Sequence, residues 1–178
     1  MLYTAKCMPV LIQQNVDGSN FFNRSWGEFK VGFNDTRGNY WIGNDRLSQL
    51  TLSGPYKLRF DMQLRNSSWN WAEYSRFTVL GESSNYTLRV SGYSGNIGGD
   101  ALSYHNGMMF TTYDRDNDPW TDSRSNGNCA VLNSGGFWYN FCSYCCVNCV
   151  RGHGDDFKWY SAQTGQLLLR ASRMWLTC

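Results

Sequence analysis

Residues 56 to 65 read Tyr56-Lys57-Leu58-Arg59-Phe60-Asp61-Met62-Gln63-Leu64-Arg65, so that apolar and polar side chains alternate without a break. Successive side chains of a β-strand point to opposite faces of its sheet, and one face of this segment is therefore entirely apolar. A strand with one apolar and one polar side is typical of an antiparallel sheet with one solvated face. Residues 56 to 65 thus predict a central antiparallel strand.

Segments downstream extend the same pattern. Phe77 to Leu80 and Tyr86 to Val90 predict two more strands, and the Gly81-Glu-Ser-Ser-Asn85 linker between them is typical of a hairpin. Leu167 to Leu176 predicts a final strand. From about Tyr93 to Asp156 the periodicity fails, which indicates a long loop region that is functional or held by disulfides or metal.

Short helices are expected before the first of these strands. Ser25 and Glu28 have the spacing of a capping box, and Asn44 or Asp45 is placed to cap a turn that runs toward Leu50. Together with the strands, these pieces predict an α+β fold with a central antiparallel sheet, short helices and a loop-built second half. The length of 178 residues suits one domain.

Composition excludes several function classes. With 16 Lys and Arg against 14 Asp and Glu, and no basic run, the chain has no electrostatic footprint for nucleic acid. Its apolar runs are far shorter than the roughly 20 residues that span a bilayer, so we expect no membrane protein. Only His105 and His153 offer a base at neutral pH, and no nucleophile elbow or phosphate-binding loop is present. An enzyme is not expected.

Cysteines and glycosylation motifs indicate an extracellular protein. There are 7 Cys, and six follow Asn128. Such cysteine use indicates an oxidising compartment or a metal site. Four Asn-x-Ser/Thr motifs favour the oxidising compartment, and they begin at Asn23, Asn34, Asn66 and Asn85. The N-terminus shows no signal-peptide pattern, so we interpret the chain as a piece of a secreted protein.

An acidic run is the strongest candidate for metal binding. Carboxylates at alternate positions of a loop can converge on a hard cation such as Ca²⁺, with carbonyl groups completing the shell. The run is Asp114-Arg115-Asp116-Asn117-Asp118-Pro119-Trp120-Thr121-Asp122. It is not an EF-hand, because Pro119 replaces the turn glycine and Ser125 the bidentate glutamate. The alternative is a solvated acidic turn that holds no ion.

The cysteines near the acidic run allow two interpretations. Cys129 and Cys142 are spaced to close a loop, and a disulfide there would hold the aromatic residues at 137 to 139 rigid. We expect Trp138 in the core, whereas Tyr139 suits the core and a binding surface equally. Cys146-x-x-Cys149 with His153 resembles half of a zinc site, but an extracellular setting favours disulfides. The candidate partners of Cys145 and Cys146 are Cys149, Cys7 and Cys178.

Taken in order, the motifs resemble those of fibrinogen-related C-terminal domains. The resemblance covers nearly the whole chain. It rests on Val16-Asp-Gly-Ser19 with Phe22, Arg24, Trp26 and Phe29, on Tyr40-Trp-Ile-Gly-Asn-Asp45, on Tyr93-Ser-Gly with Gly98-Gly-Asp-Ala-Leu102, on Phe110-Thr-Thr112 with the acidic run, on Cys129-Ala130, and on Gly136-Phe-Trp-Tyr139 with Cys142. Ficolins and tachylectins, which are secreted lectins of innate immunity, belong to this family, as do fibrinogen, angiopoietins and tenascins.

The resemblance implies one fibrinogen-like domain over residues 1–178, with a truncated N-terminal subdomain. It implies a sheet region at about 10–110, a loop-rich lobe with calcium site and pocket at 111–165, and a final strand at 166–178. The implied calcium ligands are the side chains of Asp116 and Asp118 and the carbonyls of Trp120 and Asp122. The implied disulfide is Cys129–Cys142, and a cis peptide is expected between Phe141 and Cys142. The implied ligand-binding residues are Tyr139, Phe141, Cys142, Ser143, Trp159 and Tyr160.

Departures from the family pattern concern the pocket more than the calcium site. Extra residues lie between Trp120 and Cys129, so the Asp122 side chain is an alternative fourth ligand. Ser143 stands where lectin relatives usually have His, and Gln166 stands where acetyl-binding relatives tend to have Tyr. The usual upstream partner of Cys7 is expected to be missing, with Cys178 as a substitute.

From the resemblance we expect a secreted, calcium-dependent pattern-recognition lectin. Its ligands would be microbial surface carbohydrates, including acetylated sugars, in innate immunity, and the full-length protein would form a homo-oligomer. The alternative is a protein-interaction module that binds a peptide or a receptor through the same pocket.

Overall fold

The centre of the computed structural model, which describes residues 8 to 178, is an antiparallel sheet. Predictions that involve Cys7 lie outside the described residues. The strands run in the order β2-β3-β1-β9-β4-β5-β6, with β8 pairing β9 and β7 pairing β8. They are β1 (Val10–Asn15), β2 (Phe33–Asn34), β3 (Tyr40–Trp41), β4 (Lys57–Leu64), β5 (Trp69–Val79), β6 (Leu88–Gly95), β7 (Cys145–Cys146), β8 (Lys158–Ser161) and β9 (Gly165–Thr177).

The alternating segment forms β4, as predicted. Leu58, Phe60 and Met62 are fully buried, and β4 pairs antiparallel with both β5 and β9. The hairpin of β5 and β6 is also present, but β5 begins at Trp69, well before the predicted start at Phe77. The prediction of an α+β fold around an antiparallel sheet is therefore confirmed.

Helices are short, as expected. They are α1 (Trp26–Val31), α2 (Asn44–Ser53) and α3 (Cys129–Asn133), with 3₁₀ turns at Asn20–Phe22, Glu82–Ser84, Leu102–His105 and Arg124–Gly127. The predicted capping box begins α1, because the Ser25 hydroxyl accepts from the Glu28 N–H and the Glu28 carboxylate accepts from the Ser25 N–H. The expected side-chain cap of α2 is wrong. Gly43 precedes that helix, and the Asn44 side-chain oxygen accepts from the Trp41 indole instead.

Buried amides fasten the loop-built half of the protein to the sheet. The Gln13 side chain donates to the Val147 carbonyl at 3.1 Å and to the Asn148 side-chain oxygen at 3.0 Å. The Asn15 side chain donates to the same Val147 carbonyl at 3.0 Å. Because unpaired amides would be costly in this buried setting, these bonds fix the position of the loops relative to β1.

The core contains most of the large aromatic side chains. Trp41, Trp138 and Trp159 are fully buried, and each indole N–H has a carbonyl partner. Trp159 packs edge-on against Phe60 with ring centroids 5.2 Å apart. The prediction that Trp138 belongs to the core is confirmed. In the described part of the chain, no helix is long and apolar enough to cross a bilayer.

Candidate functional site

Two disulfides stiffen the lobe that follows β6. Cys129 and Cys142 are bonded, with their Cα atoms 5.0 Å apart, and Cys146 is bonded to Cys149. The second disulfide removes both thiolates of the alternative zinc site. Cys145 carries a buried free thiol, whose pKa is raised by desolvation, while Cys178 is disulfide-bonded.

The turn at Phe141 and Cys142 does not have the expected conformation. No cis peptide occurs among the described residues, so the expectation of one here is wrong. Instead, Phe141 and Cys142 both adopt left-handed backbone conformations, with φ of 46° and 65°. Two consecutive left-handed residues turn the backbone within trans geometry, and the Asn140 N–H donates to the Cys142 carbonyl at 3.2 Å.

Asp116 and Asp118 lie together in the acidic loop. The Asp118 N–H donates to the Asp116 carboxylate at 3.2 Å. Desolvation, together with the neighbouring Asp116 carboxylate, raises the pKa of Asp118 to about 6, although N–H groups of Cys129 and Trp120 lower it. Two carboxylates held this close repel each other, and a cation between them would relieve that repulsion.

The carbonyls of Trp120 and Asp122 lie on one side of Gly127. A Cβ atom built on Gly127 would lie 3.1 Å from the Trp120 oxygen and 3.5 Å from the Asp122 oxygen. Gly127 has φ of +75°, and the backbone approaches it through Ser125 and Asn126, which are also left-handed. The turn at Ser125 to Gly127 therefore gathers the two carbonyls that the family resemblance implies as calcium ligands.

The other two carboxylates of the acidic run have partners of their own. Asp114 accepts from the Trp26 N–H at 2.8 Å and from the Thr112 hydroxyl at 2.7 Å, which ties the loop to the start of α1. Asp122 pairs through both oxygens with Arg124, at 3.1 and 3.0 Å. Among the described residues, no three His, Cys, Asp or Glu side chains converge as a metal cluster. The two carboxylates and the two carbonyls are oxygen donors, which are the ligands that Ca²⁺ takes.

Two of the predicted pocket side chains lie in the core instead. Tyr139 and Trp159 are both fully buried. The Tyr139 hydroxyl donates to the Gly135 carbonyl at 2.5 Å, and the Trp159 indole donates to the Gly99 carbonyl at 2.9 Å. Because both rings are fully buried, they cannot contact a ligand at the surface, and the prediction that they do so is wrong.

Three tyrosines form an exposed stack at the surface of the same lobe. Tyr104 and Tyr144 lie parallel, with centroids 4.0 Å apart and an interplanar angle of 10°. Tyr160 continues the row at 4.7 Å from Tyr144. Tyr144 and Tyr160 are 42% and 39% exposed, and Phe141, close by in the sequence, is 62% exposed. We call Tyr104, Tyr144 and Tyr160 the tyrosine stack. Of the exposed rings in this region, only Tyr160 and Phe141 were predicted from the sequence as ligand-binding residues.

A buried histidine holds the middle of the tyrosine stack. The N–H groups of Tyr144 and Cys145 donate to His105 Nε2 at 3.2 and 3.3 Å. His105 Nδ1 lies 2.7 Å from the Trp138 carbonyl and must donate to it, so the ring is neutral with one proton. Desolvation lowers the pKa of His105 to about 4. The Tyr160 N–H donates to the Tyr144 carbonyl at 2.8 Å, which joins the third ring to this frame.

This histidine predicts an acid-sensitive fold. The pKa of His105 lies near 6.5 in the unfolded state and near 4 in the folded one, so only the unfolded state gains a proton as pH falls between those values. Stability is fully present above pH 6.5, and about 3 kcal/mol is lost by pH 4. Urea unfolding of wild type and His105→Gln across this range should show a flatter pH dependence for the variant. Parallel curves would contradict the assignment.

Ser143 and Asp155 lie beside the stack in a paired arrangement. The Ser143 hydroxyl donates to Asp155 at 3.1 Å, and the Asn133 amide donates to the same oxygen at 3.3 Å. The Lys158 ammonium lies 3.7 Å from the other oxygen of Asp155. Ser143 and Cys142 are themselves nearly buried, with 9% and 5% exposure. The charge of Asp155 is therefore compensated within the protein.

A hydrogen bond and a disulfide link the acidic loop to the segment that carries the tyrosine stack. The Asp118 carboxylate accepts from the Cys129 N–H at 3.0 Å, and Cys129 is bonded to Cys142, two residues before Tyr144. An ion that fixes Asp118 would therefore also restrain the segment that carries the stack. This connection runs through the covalent disulfide rather than through loose packing.

Comparisons with known proteins agree on one family. The model of the "Fibrinogen beta and gamma chains, C-terminal globular domain" family matches residues 4–174. Ficolin-3 of Homo sapiens is 41% identical over 133 residues, which cover 75% of this chain and 43% of ficolin-3. The chain spans 39% to 45% of the lengths of several curated relatives that it matches.

Solved structures have the same fold. The fibrinogen-like globe domain of human ANGPTL2 matches with a TM-score of 0.84 and 37% identity, covering 95% of this chain and 79% of that one. Lamprey fibrin D-dimer in complex with the peptide Gly-His-Arg-Pro-amide matches with a TM-score of 0.75 and 27% identity, covering 93% of this chain and 60% of that one.

Proposed function

Because the chain belongs to the family of the C-terminal globular domain of fibrinogen beta and gamma chains, we propose that it is a secreted recognition domain and not an enzyme. The proposed ligands are microbial surface carbohydrates, including acetylated sugars, which it binds in a calcium-dependent manner in innate immunity. The full-length protein acts as a homo-oligomer, since many weak sugar contacts gain strength through multivalency. Two disulfides in the lobe support an extracellular location.

The observation that carries the proposal is the tyrosine stack. Tyrosine offers a large flat face at a low entropic cost, and a hydroxyl group at its edge for hydrogen bonding. The rings of Tyr144 and Tyr160 are each more than a third exposed, although the stack holds them in place. Flat apolar faces with polar edges suit the C–H face and the hydroxyl rim of a pyranose, and the methyl of an acetyl group. The proposed contact residues are Tyr104, Phe141, Tyr144 and Tyr160.

Calcium would be held by the Asp116 and Asp118 side chains and by the carbonyls of Trp120 and Asp122. In this place the ion supplies positive charge, which offsets the repulsion between the two carboxylates. Asp118 then fixes the N–H of Cys129, and the disulfide passes that restraint to the segment before Tyr144. The binding surface would thus be formed before the ligand arrives, which lowers the entropic cost of binding.

A peptide-binding role is the second candidate, supported by the similarity to the lamprey fibrin structure with its bound peptide. A peptide amino terminus would need an uncompensated carboxylate in the site. Asp155 is the carboxylate beside Ser143, but Lys158 and two hydrogen-bond donors already occupy it. This pairing favours a neutral, hydroxyl-rich ligand over a cationic one.

A glycan array tests the proposal directly. Wild type should bind a subset of microbial or acetylated glycans, and Tyr144→Ala should weaken that binding by about fivefold or more, since a stacked aromatic contact contributes about 1 kcal/mol or more. Tyr113→Ala is a matched control, because Tyr113 is 46% exposed outside the stack. An array with no glycan signal, or equal loss in both variants, would reject the carbohydrate site.

We predict that three of the four glycosylation motifs carry a glycan and that the fourth does not. Asn23, Asn34 and Asn66 are exposed. Asn85 is partly buried, with its amide oxygen accepting from Arg115 at 2.7 Å and its nitrogen contacting Met109. Secreted protein treated with peptide N-glycosidase in ¹⁸O water should therefore carry heavy Asp at the three exposed sites and not at Asn85. Heavy Asp at position 85 would contradict the prediction.

A further inference from the structure

Three tryptophans lie on the solvent side of the central sheet, where polar residues would be ordinary. Trp69 is 47% exposed, and Trp71 and Trp175 are partly exposed. Cross-strand pairing over β9, β4 and β5 gives three rows, because paired residues point to the same face. The rows are Trp175–Arg59–Glu73, Arg173–Asp61–Trp71 and Ala171–Gln63–Trp69. We call these nine residues the outer sheet face.

Arginines fix two of the rings on this face. The Arg59 guanidinium lies over Trp71 at 4.8 Å from the ring centroid, and the Arg173 guanidinium lies over Trp69 at 5.4 Å. Such cation–π contacts hold the rings and keep charged groups beside them. The face is therefore a set of flat apolar platforms interleaved with cations, rather than one continuous apolar patch of the kind that marks a protein interface.

A shallow groove of about 270 Å³ lies at one end of the face. Its lining includes Pro9, Trp175 and Thr177, together with the ion pair of Arg59 and Asp61, whose atoms are 3.0 Å apart. The lining thus combines apolar side chains with charged donors and acceptors. This combination suits a unit that has both a C–H face and polar substituents, as a sugar ring has.

The charges of the face favour an anionic ligand. Arg59 is compensated by Asp61, but Arg173 bonds to the neutral Gln14 amide oxygen at 2.8 Å. Within the described range, none of the ion pairs with an N–O distance of 4.0 Å or less involves Lys57 or Arg173. Arg173 belongs to the face, and Lys57 lies beside it, two residues before Arg59 on the same side of β4. Against these two cations stands the carboxylate of Glu73, so this side of the sheet has an excess of positive charge.

We infer that the outer sheet face binds a linear anionic polysaccharide. Trp69 and Trp71 are two residues apart on β5, about 7 Å along the strand, and Trp175 lies on β9, two strands away and one row further, about 12 Å from Trp71. Successive sugar rings of an extended polymer can meet these platforms in turn, while Arg173 and Lys57 meet its carboxylates. This surface is separate from the tyrosine stack, and the inference does not rest on the proposed function.

Titration with decagalacturonate tests the inference, with maltodecaose as a neutral oligomer of equal length. Deglycosylated protein is used in EDTA, so that a calcium-dependent site elsewhere is not formed, and tryptophan fluorescence and calorimetry are the readouts. Decagalacturonate should bind, and its affinity should fall as NaCl is raised. Trp69→Ala and Arg173→Gln should each weaken binding by roughly tenfold, the size expected for one aromatic or cation–π contact.

Matched controls come from outside this face. Tyr113→Ala removes a ring of similar exposure, and Arg46→Gln removes an exposed cation on α2. Both should bind decagalacturonate as wild type does, and all variants should keep the wild-type melting temperature. The inference is overturned if decagalacturonate does not bind, if maltodecaose binds equally well, or if the controls lose as much affinity as the face variants.

Discussion

Asp118→Asn should abolish the rise in melting temperature that calcium causes in the wild type. At a calcium concentration 100 times the dissociation constant, binding stabilises the fold by about 2.7 kcal/mol, which is about 5 to 11 °C for a domain of this size. The substitution keeps a hydrogen-bond acceptor for the Cys129 N–H but removes the charge beside Asp116. Asp116→Ala should have the same effect, and scanning calorimetry with calcium and with EDTA measures both.

Asp122→Asn is the matched control for this experiment. The Asp122 side chain is paired with Arg124, and only its backbone carbonyl is a proposed ion ligand. We therefore expect the calcium response of Asp122→Asn to remain at the wild-type size. A lost response in this variant would assign the fourth ligand to the Asp122 side chain. A wild type with no response to calcium would remove the ion from the proposal altogether.

Loss of the Cys129–Cys142 disulfide should destabilise the protein by about 3 kcal/mol, because the bond closes a loop with a sequence separation of 13. The double variant Cys129→Ser/Cys142→Ser should also lose most of the calcium response, since the bond connects Asp118 to the segment before Tyr144. Urea unfolding with and without calcium gives both quantities.

The second disulfide supplies a comparison within the same lobe. Cys146 and Cys149 are only three residues apart, and chain entropy predicts about 2 kcal/mol for so short a loop. Cys146→Ser/Cys149→Ser should therefore keep the calcium response while losing some stability. If the two double variants lost the response equally, the proposed route through Cys129 would be incorrect.

The sheet was predictable from sequence where its two faces differ in polarity. Leu58, Phe60 and Met62 alternate with charged or amide residues, and that pattern identifies β4. The first half of β5 was not predicted, because Trp69 and Trp71 face solvent while the small Ala72 faces the core. Large apolar side chains normally mark the buried face of a strand, and here they mark the exposed one. The failure of the pattern thus coincides with the outer sheet face.

The candidate site was predictable only in part. Alternating aspartates identified the acidic loop, but sequence could not say that Asp114 would bind the start of α1 and Asp122 would bind Arg124. Those partners depend on tertiary contacts. Because Asp114 and Asp122 have these other partners, only the carboxylates of Asp116 and Asp118 are proposed as ion ligands.

The positions of the aromatic residues in the site were also predictable only in part. Tyr139 follows the family pattern, yet its hydroxyl finds a carbonyl inside the lobe and the ring is buried. Tyr104 and Tyr144 lie 40 positions apart in the sequence and meet because His105 and the Asn140 amide fasten their backbones. No local pattern encodes such a meeting, which requires the whole lobe to be folded.

Calorimetric titration of a glycan selected from the array is the most direct test of calcium-dependent carbohydrate recognition through the tyrosine stack. Wild type in calcium should bind the glycan, EDTA should remove the binding, and added calcium should restore it. Tyr144→Ala should bind weakly in both conditions, and Gly-His-Arg-Pro-amide should not compete. Equal affinity with and without calcium, or displacement of the glycan by the peptide, would contradict the proposed function.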